Sequence, residues 1–393
     1  MGEHHLRCRP RTLLVLALLI GAALVAASPL AAAERNFQRN AYTVTPLVSD
    51  QPGVAPHTDG NLVNAWGLTA GPTTPWWVAD NGTDKSTLYN GDGTPRSLVV
   101  DVAGGPTGTT FNPTTGFLLP TGGKALFLFD GEDGIIRGWN GAQGTTAVVV
   151  KDRSDQRAIY KGLTVADTPW GPRLYAADFH NARIDVFDGN FGLVPGGFRD
   201  PLLPQGYAPF NVQVIGHFVF VAYAKQDADA EDEDPGPGRG FVAAFTLDGR
   251  FAAPIASRGP LNAPWGLAVA PAGFGRFSGD LLVGNFGDGK IHAYRSFFGF
   301  FFFDGTLRDT SRSPISIDGL WALRFGNDSA AGSSKTLFFT AGPDEESHGL
   351  FGSIIPNLRE RGGGARLWPA RRPLTPGPDS GRSTARRRPR ARR

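Results

Sequence analysis

The residues of this chain that could do chemistry are Asn, Asp, His, Lys and Trp side chains in turns. The best candidate for a general base is His180, in Ala177-Asp178-Phe179-His180-Asn181, with Asp178 close enough in sequence to orient the imidazole. A lone His in a turn is more often structural than catalytic. No serine elbow, paired-carboxylate signature or zinc motif accompanies it. The sequence therefore leaves open whether the chain is an enzyme.

A second group of turn residues is suited to binding a ligand. It comprises Asn64, Trp66, Asp80, Asn181, Asn211, Lys225, Trp265, Asn285, Asp318 and Trp321. Polar and aromatic groups offered by many turns favour a ligand pocket. The alternative is that Asn and Asp shape their own turns and that the Trp side chains pack inside the fold.

An acidic segment could hold a cation. Asp227, Asp229 and Glu231 alternate in Lys225-Gln226-Asp227-Ala228-Asp229-Ala230-Glu231, and Ca²⁺ takes six to eight oxygen ligands. The spacing is not that of an EF-hand, because the sixth-position Gly and the twelfth-position Glu are missing. We therefore keep two hypotheses for this loop, a calcium site and a solvated acidic lid.

These turns are positioned by a repeat. The motif Asn64-Ala65-Trp66-Gly67-Leu68 recurs at 262–267 and, as a variant, at 318–323, with weaker copies between. Taking the opening positions at 67, 108, 162, 211, 266 and 322, the intervals are 41, 54, 49, 55 and 56 residues. Each opening is followed by an apolar strand and then by a strand that alternates in period two, as in Arg183–Asp188. Units of this length, rich in Gly turns and without helical periodicity, predict an all-β fold, a six-bladed β-propeller.

The ends of the propeller must meet. The last unit has no segment for a fourth strand after about Ile355, and the alternating segment Tyr42–Val48 precedes the first unit. We expect this N-terminal segment to supply the outer strand of the last blade and so to close the ring. In such a ring, the turns that open each unit and the loops between its second and third strands share one end of the channel.

One segment fits the repeat poorly. The run from Phe297 to Phe303 contains six Phe where a polar turn is expected between the third and fourth strands of the fifth blade. We interpret it as an outer strand packed between blades. An exposed partner or membrane contact is the alternative.

The chain ends set its charge and its destination. Arg7, Arg9 and Arg11 precede the apolar run Leu13–Ala27, and small residues follow it, so residues 1–33 are predicted to be a signal peptide and 34–41 a short leader. Residues 358–393 are predicted to be a disordered Arg/Pro/Gly-rich tail, either native or the product of a frameshift. We expect a monomer without a transmembrane segment after cleavage, secreted or periplasmic.

The propeller body is acidic although the whole chain is basic. Of the net charge of +3, residues 1–33 carry +2 and residues 358–393 carry +10, which leaves −9 for residues 34–357. Nucleic acid is therefore not an expected partner, since binding to phosphates needs a basic face.

Several longer motifs resemble a known family. They are Asn61–Leu68, Trp77–Thr83, Leu174–Asn181, Tyr223–Asp227, Leu282–Gly289 and His348–Ile354. Together they are similar to a family of exported bacterial proteins of uncharacterised function, which resemble NHL-type propellers. The resemblance covers about Tyr42 to Pro356 and implies fold and export, but no catalytic residues. Some relatives end in a Pro-Glu-Pro sorting signal, which this chain lacks.

Two hypotheses for function follow. The first is an exported binding scaffold that holds a peptide, a glycan or a small molecule at the channel mouth. The alternative is a calcium-dependent hydrolase or lactonase, which depends on analogy at the level of the fold alone.

Overall fold

The computed structural model describes residues 39–358, which are built almost wholly of strands and turns. The helical elements in this range are four single-turn 3₁₀ helices at Asn81–Thr83, Gly141–Gln143, Ser154–Gln156 and Gly275–Phe277. None of them has the length or hydropathy of a transmembrane helix. The predicted signal peptide, most of the leader and the tail after residue 358 lie outside the described residues.

The strands form six antiparallel sheets, one for each predicted repeat. Two strands precede the first complete blade: β1 (Tyr42–Ser49) and β2 (His57–Thr58). Blade one follows with β3 (Ala65–Thr69), β4 (Trp76–Asp80), β5 (Lys85–Tyr89) and β6 (Val100–Asp101). Blade two contains β7 (Pro106–Phe111), β8 (Phe127–Gly131), β9 (Ile135–Trp139) and β10 (Val148–Asp152).

The middle blades have longer inner strands. Blade three contains β11 (Tyr160–Thr168), β12 (Gly171–Asp178), β13 (Arg183–Asp188) and β14 (Leu193–Val194). Blade four contains β15 (Tyr207–Ile215), β16 (Phe218–Lys225), β17 (Gly240–Thr246) and β18 (Phe251–Ser257).

The last two blades complete the ring. Blade five contains β19 (Pro264–Val269), β20 (Leu281–Asn285), β21 (Ile291–Phe297) and β22 (Phe300–Thr306). Blade six contains β23 (Leu320–Phe325), β24 (Leu337–Ala341) and β25 (Leu350–Pro356). All six predicted opening positions fall within the innermost strands β3, β7, β11, β15, β19 and β23, so the predicted six-bladed fold is confirmed.

The N-terminal strand closes the propeller as predicted. β1 pairs antiparallel with β25 from Tyr42 opposite Pro356 to Ser49 opposite Leu350, and so becomes the fourth strand of blade six. Val48 is fully buried there, among the side chains of Tyr89 and Phe351. The ring is therefore joined by chain segments from both ends of the described range.

The repeated Gly of the inner strands has a packing reason. A Cβ on Gly67 would lie 2.5 Å from the carbonyl oxygen of Thr107 on the next inner strand, and one on Gly266 would lie 2.7 Å from that of Trp321. Each inner strand also shifts register against its second strand beside this position, for example between Ala65 and Leu68. Such irregularities re-aim side chains. They allow the strands to crowd together around the channel.

The phenylalanine run is different from the interpretation given above. β21 and β22 form a hairpin that carries Phe297, Phe298, Phe300, Phe302 and Phe303 with half or more of each side chain exposed. Only Phe301 points inward, where its ring meets Phe220 of blade four. β22 is the predicted outer strand, but packing between blades is wrong for five of the six rings, because those side chains face solvent.

Candidate functional site

Lys161 is the centre of the channel mouth. It lies near the start of the inner strand β11, and its side chain is 1% exposed. Its Nζ donates to Glu132 Oε1 at 2.5 Å and to Asp232 Oδ1 at 2.8 Å, and lies 5.1 Å from the ring centre of Trp66. Burial alone would lower the pKa of Lys161, but the charges of Glu132 and Asp232 outweigh it and raise the pKa. The ammonium is therefore permanently charged.

A chain of hydrogen bonds runs around the mouth to Lys161. Asn64 donates to Glu346 Oε2 at 2.6 Å and to Asn81 Oδ1 at 3.1 Å. Asn81 in turn donates to Glu132 Oε2 at 3.0 Å. With Asp232, the network joins loops or inner strands of five different blades. Residues far apart in sequence thus form one continuous polar site.

The site has more carboxyl groups than positive charges. Besides Glu132 and Asp232, the carboxyls of Glu233 and Glu346 act electrostatically on this cluster. Burial raises the pKa of Glu233 to about 8, against a partial opposing effect of Lys161, and burial also raises the pKa of Glu346. At neutral pH Glu233 is mostly protonated, and the mouth still carries a net negative charge.

Aromatic rings form the floor beneath this cluster. Trp66 stacks on Trp321 with ring centres 3.8 Å apart, and Phe286 stacks on the same Trp321 at 4.1 Å. Trp321 Nε1 donates to Asn64 Oδ1 at 2.9 Å, while Trp265 Nε1 donates to the carbonyl oxygen of Lys161 at 2.8 Å. The rings therefore also fix the polar residues above them.

One donor in this floor is unused. Trp66 Nε1 is buried and has no hydrogen-bond partner among residues 39–358. A buried N–H without a partner costs free energy, which the packing of the Trp66 ring must offset.

A loop from blade four covers the mouth. We call residues 226–239, between β16 and β17, the lid. Asp232 binds Lys161, the carbonyl oxygen of Ala230 lies 3.1 Å from His180 Nδ1, and the N–H of Gly236 donates to Asn262 at 2.6 Å. Of the two hypotheses for the acidic segment, its position agrees with the lid.

Backbone strain concentrates at the same end. Asp344, Glu345 and Glu346 are three successive residues with φ of 55°, 54° and 64°, and Asn64 has φ of 44°. Residues other than Gly seldom adopt this region, and such strain clusters at functional sites. Here it holds the Glu346 carboxylate against Asn64.

Only part of the predicted ligand set meets at this site. Trp66 and Trp265 contact Lys161, and Trp321 stacks on Trp66. Asn64 is linked to Lys161 through Asn81 and Glu132, and Asn211 supports Trp265 by donating to its carbonyl oxygen at 2.8 Å. The other predicted ligand residues bond within their own blades or lie further out, and they stay predictions. Two of them accept hydrogen bonds from backbone N–H groups: Asp80 from Thr87 and Asp318 from Asp344. The other three contact acidic side chains: Asn181 donates to Asp178, Asn285 donates to Asp288, and Lys225 pairs with Asp234.

The predicted catalytic pair is not assembled in this arrangement. Asp178 is fully buried and its carboxylate accepts from the Asn181 side chain and pairs with Arg183, whereas His180 turns its Nδ1 to the lid. The expected orientation of His180 by Asp178 is therefore wrong in this structure, because nearer donors occupy that carboxylate. A catalytic role of His180 stays a prediction.

The predicted cation ligands also remain apart. Asp227 accepts from the N–H of Glu231 at 3.0 Å, and the side chains of Asp229 and Glu231 are exposed. Within residues 39–358, no group of three or more His, Cys, Asp or Glu side chains is arranged to hold a metal ion. The calcium site, and the hydrolase hypothesis that depends on it, stay predictions from the sequence.

Sequence reasoning missed three of the central carboxylates. Glu132, Asp232 and Glu346 all lie in loops between second and third strands, the class of loop predicted to face the mouth. Their offsets from the strand ends differ from blade to blade, so no spacing marked them. Lys161 was the available signal for these carboxylates, because a buried ammonium requires carboxylate partners.

Two viral proteins are similar to this chain over most of its length. Uncharacterized protein R648 of Acanthamoeba polyphaga mimivirus is 33% identical over 333 residues, which cover 80% of each chain. Uncharacterized protein L690 of the same virus is 32% identical over 333 residues, which cover 80% of this chain and 86% of that protein. These matches do not support the expectation that the relatives are exported bacterial proteins. No family model matches the chain.

Among solved structures, a protein of unknown function from Bacteroides thetaiotaomicron is similar in fold. The TM-score is 0.52 at 11% identity, with 80% of this chain and 76% of that chain covered. At this identity the similarity supports the propeller fold and nothing about activity.

Proposed function

The chain belongs to the family that contains the mimivirus proteins R648 and L690, and we propose that it is an exported propeller that binds an amine-bearing ligand at its channel mouth. The ligand class is a small molecule, an amino sugar or a peptide side chain with a protonated amine. Export depends on the predicted signal peptide. The binding proposal depends on the geometry around Lys161.

The observation that carries the proposal is the imbalance of charge at the mouth. Glu132 and Asp232 bind the single ammonium of Lys161, and Glu346 is joined to them through Asn64 and Asn81, so carboxylates outnumber the positive charge. A further cation would be attracted, while an anion would meet these carboxylates before it reached Lys161. The net charge of −9 on residues 34–357 acts in the same direction.

The floor of the site already holds an ammonium of its own. The ring of Trp66 already lies below one ammonium, that of Lys161, at 5.1 Å. Cations over a Trp face are stabilised by its quadrupole, most strongly where water is excluded. Trp66 is 2% exposed, with Trp321 stacked on it and Lys161 above it, so the ligand amine binds to the carboxylates and not to this ring.

The lid gives the site a means of admitting a ligand. Asp232 has a side chain that is 68% exposed although it binds Lys161, so the contact that closes the lid is accessible to solvent. An incoming amine can replace Lys161 as the ion-pair partner of Asp232. The new ion pair would keep the lid closed. Binding would then exchange one ion pair for another at little cost.

The test is calorimetric titration of the full chain with two matched pairs of probes. Glucosamine is compared with glucose, and lysine amide with norleucine amide, at physiological ionic strength. We expect the amine of at least one pair to bind and its neutral twin to bind at least tenfold more weakly. Glu346→Gln should weaken the amine at least threefold, whereas Asp155→Asn, on the exposed surface of blade two, should leave it unchanged.

The proposal fails if neither pair is discriminated. It also fails if Glu346→Gln and Asp155→Asn reduce amine binding equally, because the amine would then respond only to overall negative charge.

A further inference from the structure

A second polar site lies deeper in the channel, beyond the mouth. It is a cavity between the inner strands of the propeller, with a volume of about 10 Å³ for the centre of a water-sized sphere. That is room for about one water molecule or a monatomic ion. Five side chains with hydrogen-bond donors line it. Asn211 and Trp265 already donate to backbone carbonyl oxygens, and the other three are Arg324 of β23, Thr109 of β7 and Gln213 of β15.

Arg324 enters the cavity as a cation without an acidic partner. Its Nε donates to the carbonyl oxygen of Leu68 at 3.2 Å, and no carboxylate pairs with it within residues 39–358. Burial lowers the pKa of Arg324 to about 10, and no acidic side chain opposes this effect. The Arg324 side chain is partly buried, and a charge withdrawn from water is costly unless a counter-charge accompanies it. The guanidinium therefore lacks an anion.

Thr109 supplies an independent sign of a missing ligand. Its side chain is 3% exposed, and Thr109 Oγ1 has no hydrogen-bond partner in the described part of the chain. Buried hydroxyl groups are nearly always hydrogen-bonded to protein, water or ligand. Thr109 lines the cavity together with Arg324.

Gln213 adds a third donor that is poorly used. Its amide nitrogen donates only to the carbonyl oxygen of the next residue, Val214, at 3.3 Å. None of the residues that line the cavity is acidic. A guanidinium, a hydroxyl and an amide thus line one small cavity that contains no negatively charged hydrogen-bond acceptor.

We propose that this cavity binds a monatomic anion, chloride in a salt-containing exported environment. The anion accepts hydrogen bonds from Arg324, Thr109 and Gln213 and neutralises the guanidinium. A water molecule could satisfy Thr109 but not the charge of Arg324, and polyatomic anions exceed the space. The site is separate from the acidic mouth and does not depend on the proposed amine ligand.

The direct test is crystallographic. Crystals of the full chain grown with sodium bromide in place of sodium chloride should give an anomalous peak beside the guanidinium of Arg324. Density for water alone at that place, with no anomalous signal, would overturn the proposal.

Thermal unfolding tests the same site in solution. At fixed ionic strength, sodium chloride should raise the Tm of the wild type by a few degrees over sodium gluconate, whose anion is too large to enter, in a saturating way. Arg324→Met should lose this shift, and Arg250→Met, at an exposed arginine, should keep it.

A milder variant covers the case in which Arg324→Met does not fold. Thr109→Val keeps the side-chain volume and removes an unpaired hydroxyl, so in gluconate its Tm should match or exceed that of the wild type. In chloride it should gain less than half of the wild-type shift. An unchanged chloride shift in Thr109→Val, or a shift that is equally large in Arg324→Met, contradicts a site between these residues.

Discussion

The ammonium of Lys161 lies 2.8 Å from the carboxylate of Asp232, although Lys161 belongs to an inner strand of blade three and Asp232 to the lid of blade four. The same ammonium binds Glu132 of blade two. One buried lysine thus joins three blades at the channel mouth. The interaction also closes the lid over the site.

Replacing Lys161 should be more costly than replacing an exposed lysine of an ion pair. Lys161→Met leaves two carboxylates without their ammonium, and because Glu132 and Asp232 are partly exposed we expect a loss of about 1–3 kcal/mol in the free energy of unfolding. Lys225→Met, whose lysine is 38% exposed beside Asp234, is the matched control and should change stability much less. Urea unfolding measures both, and equal losses would show that Lys161 has no special role.

Removing the lid contact should open the lid without unfolding the propeller. Asp232→Asn keeps the shape of the side chain and removes its charge, so residues 226–239 should exchange amide hydrogens faster and be cleaved sooner by proteases. The inner strands should keep their protection. Asp229→Asn, at an exposed lid residue, serves as the control and should leave lid exchange unchanged. Faster exchange throughout the propeller would contradict a local role.

Glu233 should give stability a specific dependence on pH. Its pKa is about 8 in the folded protein, compared with 4.5 for an ordinary Glu. Between these values the folded state holds a proton that the unfolded state releases, so the free energy of unfolding falls as the pH rises through this window, and the effect is complete above it. The slope from one proton is at most about 1.4 kcal/mol per pH unit.

The variant Glu233→Gln imitates the protonated side chain and cannot ionise. Its free energy of unfolding should therefore decrease less steeply between pH 5 and pH 8 than that of the wild type, with the gap widening toward pH 8. Denaturant unfolding at three pH values measures this difference. Parallel curves for the two proteins would show that Glu233 keeps an ordinary pKa.

The closing strand should tolerate charge on one face only. Val48 is fully buried in β1, whereas Thr45 of the same strand is exposed. Val48→Asp should reduce the free energy of unfolding by about 3 kcal/mol or more, since it buries a carboxylate. Val48→Ala, which leaves a cavity without a charge, should cost less, and unfolding curves that rank these variants in the opposite order would contradict closure by β1.

Exposed phenylalanines of blade five should contribute little to stability. Phe298→Ser and Phe302→Ser should each change the free energy of unfolding by less than about 0.5 kcal/mol, because both rings are largely in solvent. Phe301→Ser should cost more, since that ring meets Phe220. Dye binding to exposed apolar surface should fall in the first two variants. A large loss of stability in Phe302→Ser would indicate that the hairpin packs in solution.

The fold could be read from the sequence because its causes are local and repeated. Gly67 and Gly266 recur where inner strands crowd, and the alternation in Tyr42–Val48 marks a strand without a blade of its own. Both patterns are visible in a single sequence because the same packing constraint acts on each blade.

The site was only partly predictable because convergence depends on loop conformation. Glu346 reaches Asn64 through three successive left-handed residues, and Asp232 reaches Lys161 only after the lid folds back across the mouth. Neither path leaves a spacing in the sequence. His180 shows the same limit, since its neighbour Asp178 is turned into the blade by Asn181 and Arg183.

The most direct test of the account is a crystal structure of the full chain with the amine probe that binds better in calorimetry. We predict the ammonium of the probe within hydrogen-bonding distance of Glu132, Asp232 or Glu346. Ordered binding at a different surface, with the Lys161 cluster unchanged, would contradict a ligand site at the channel mouth.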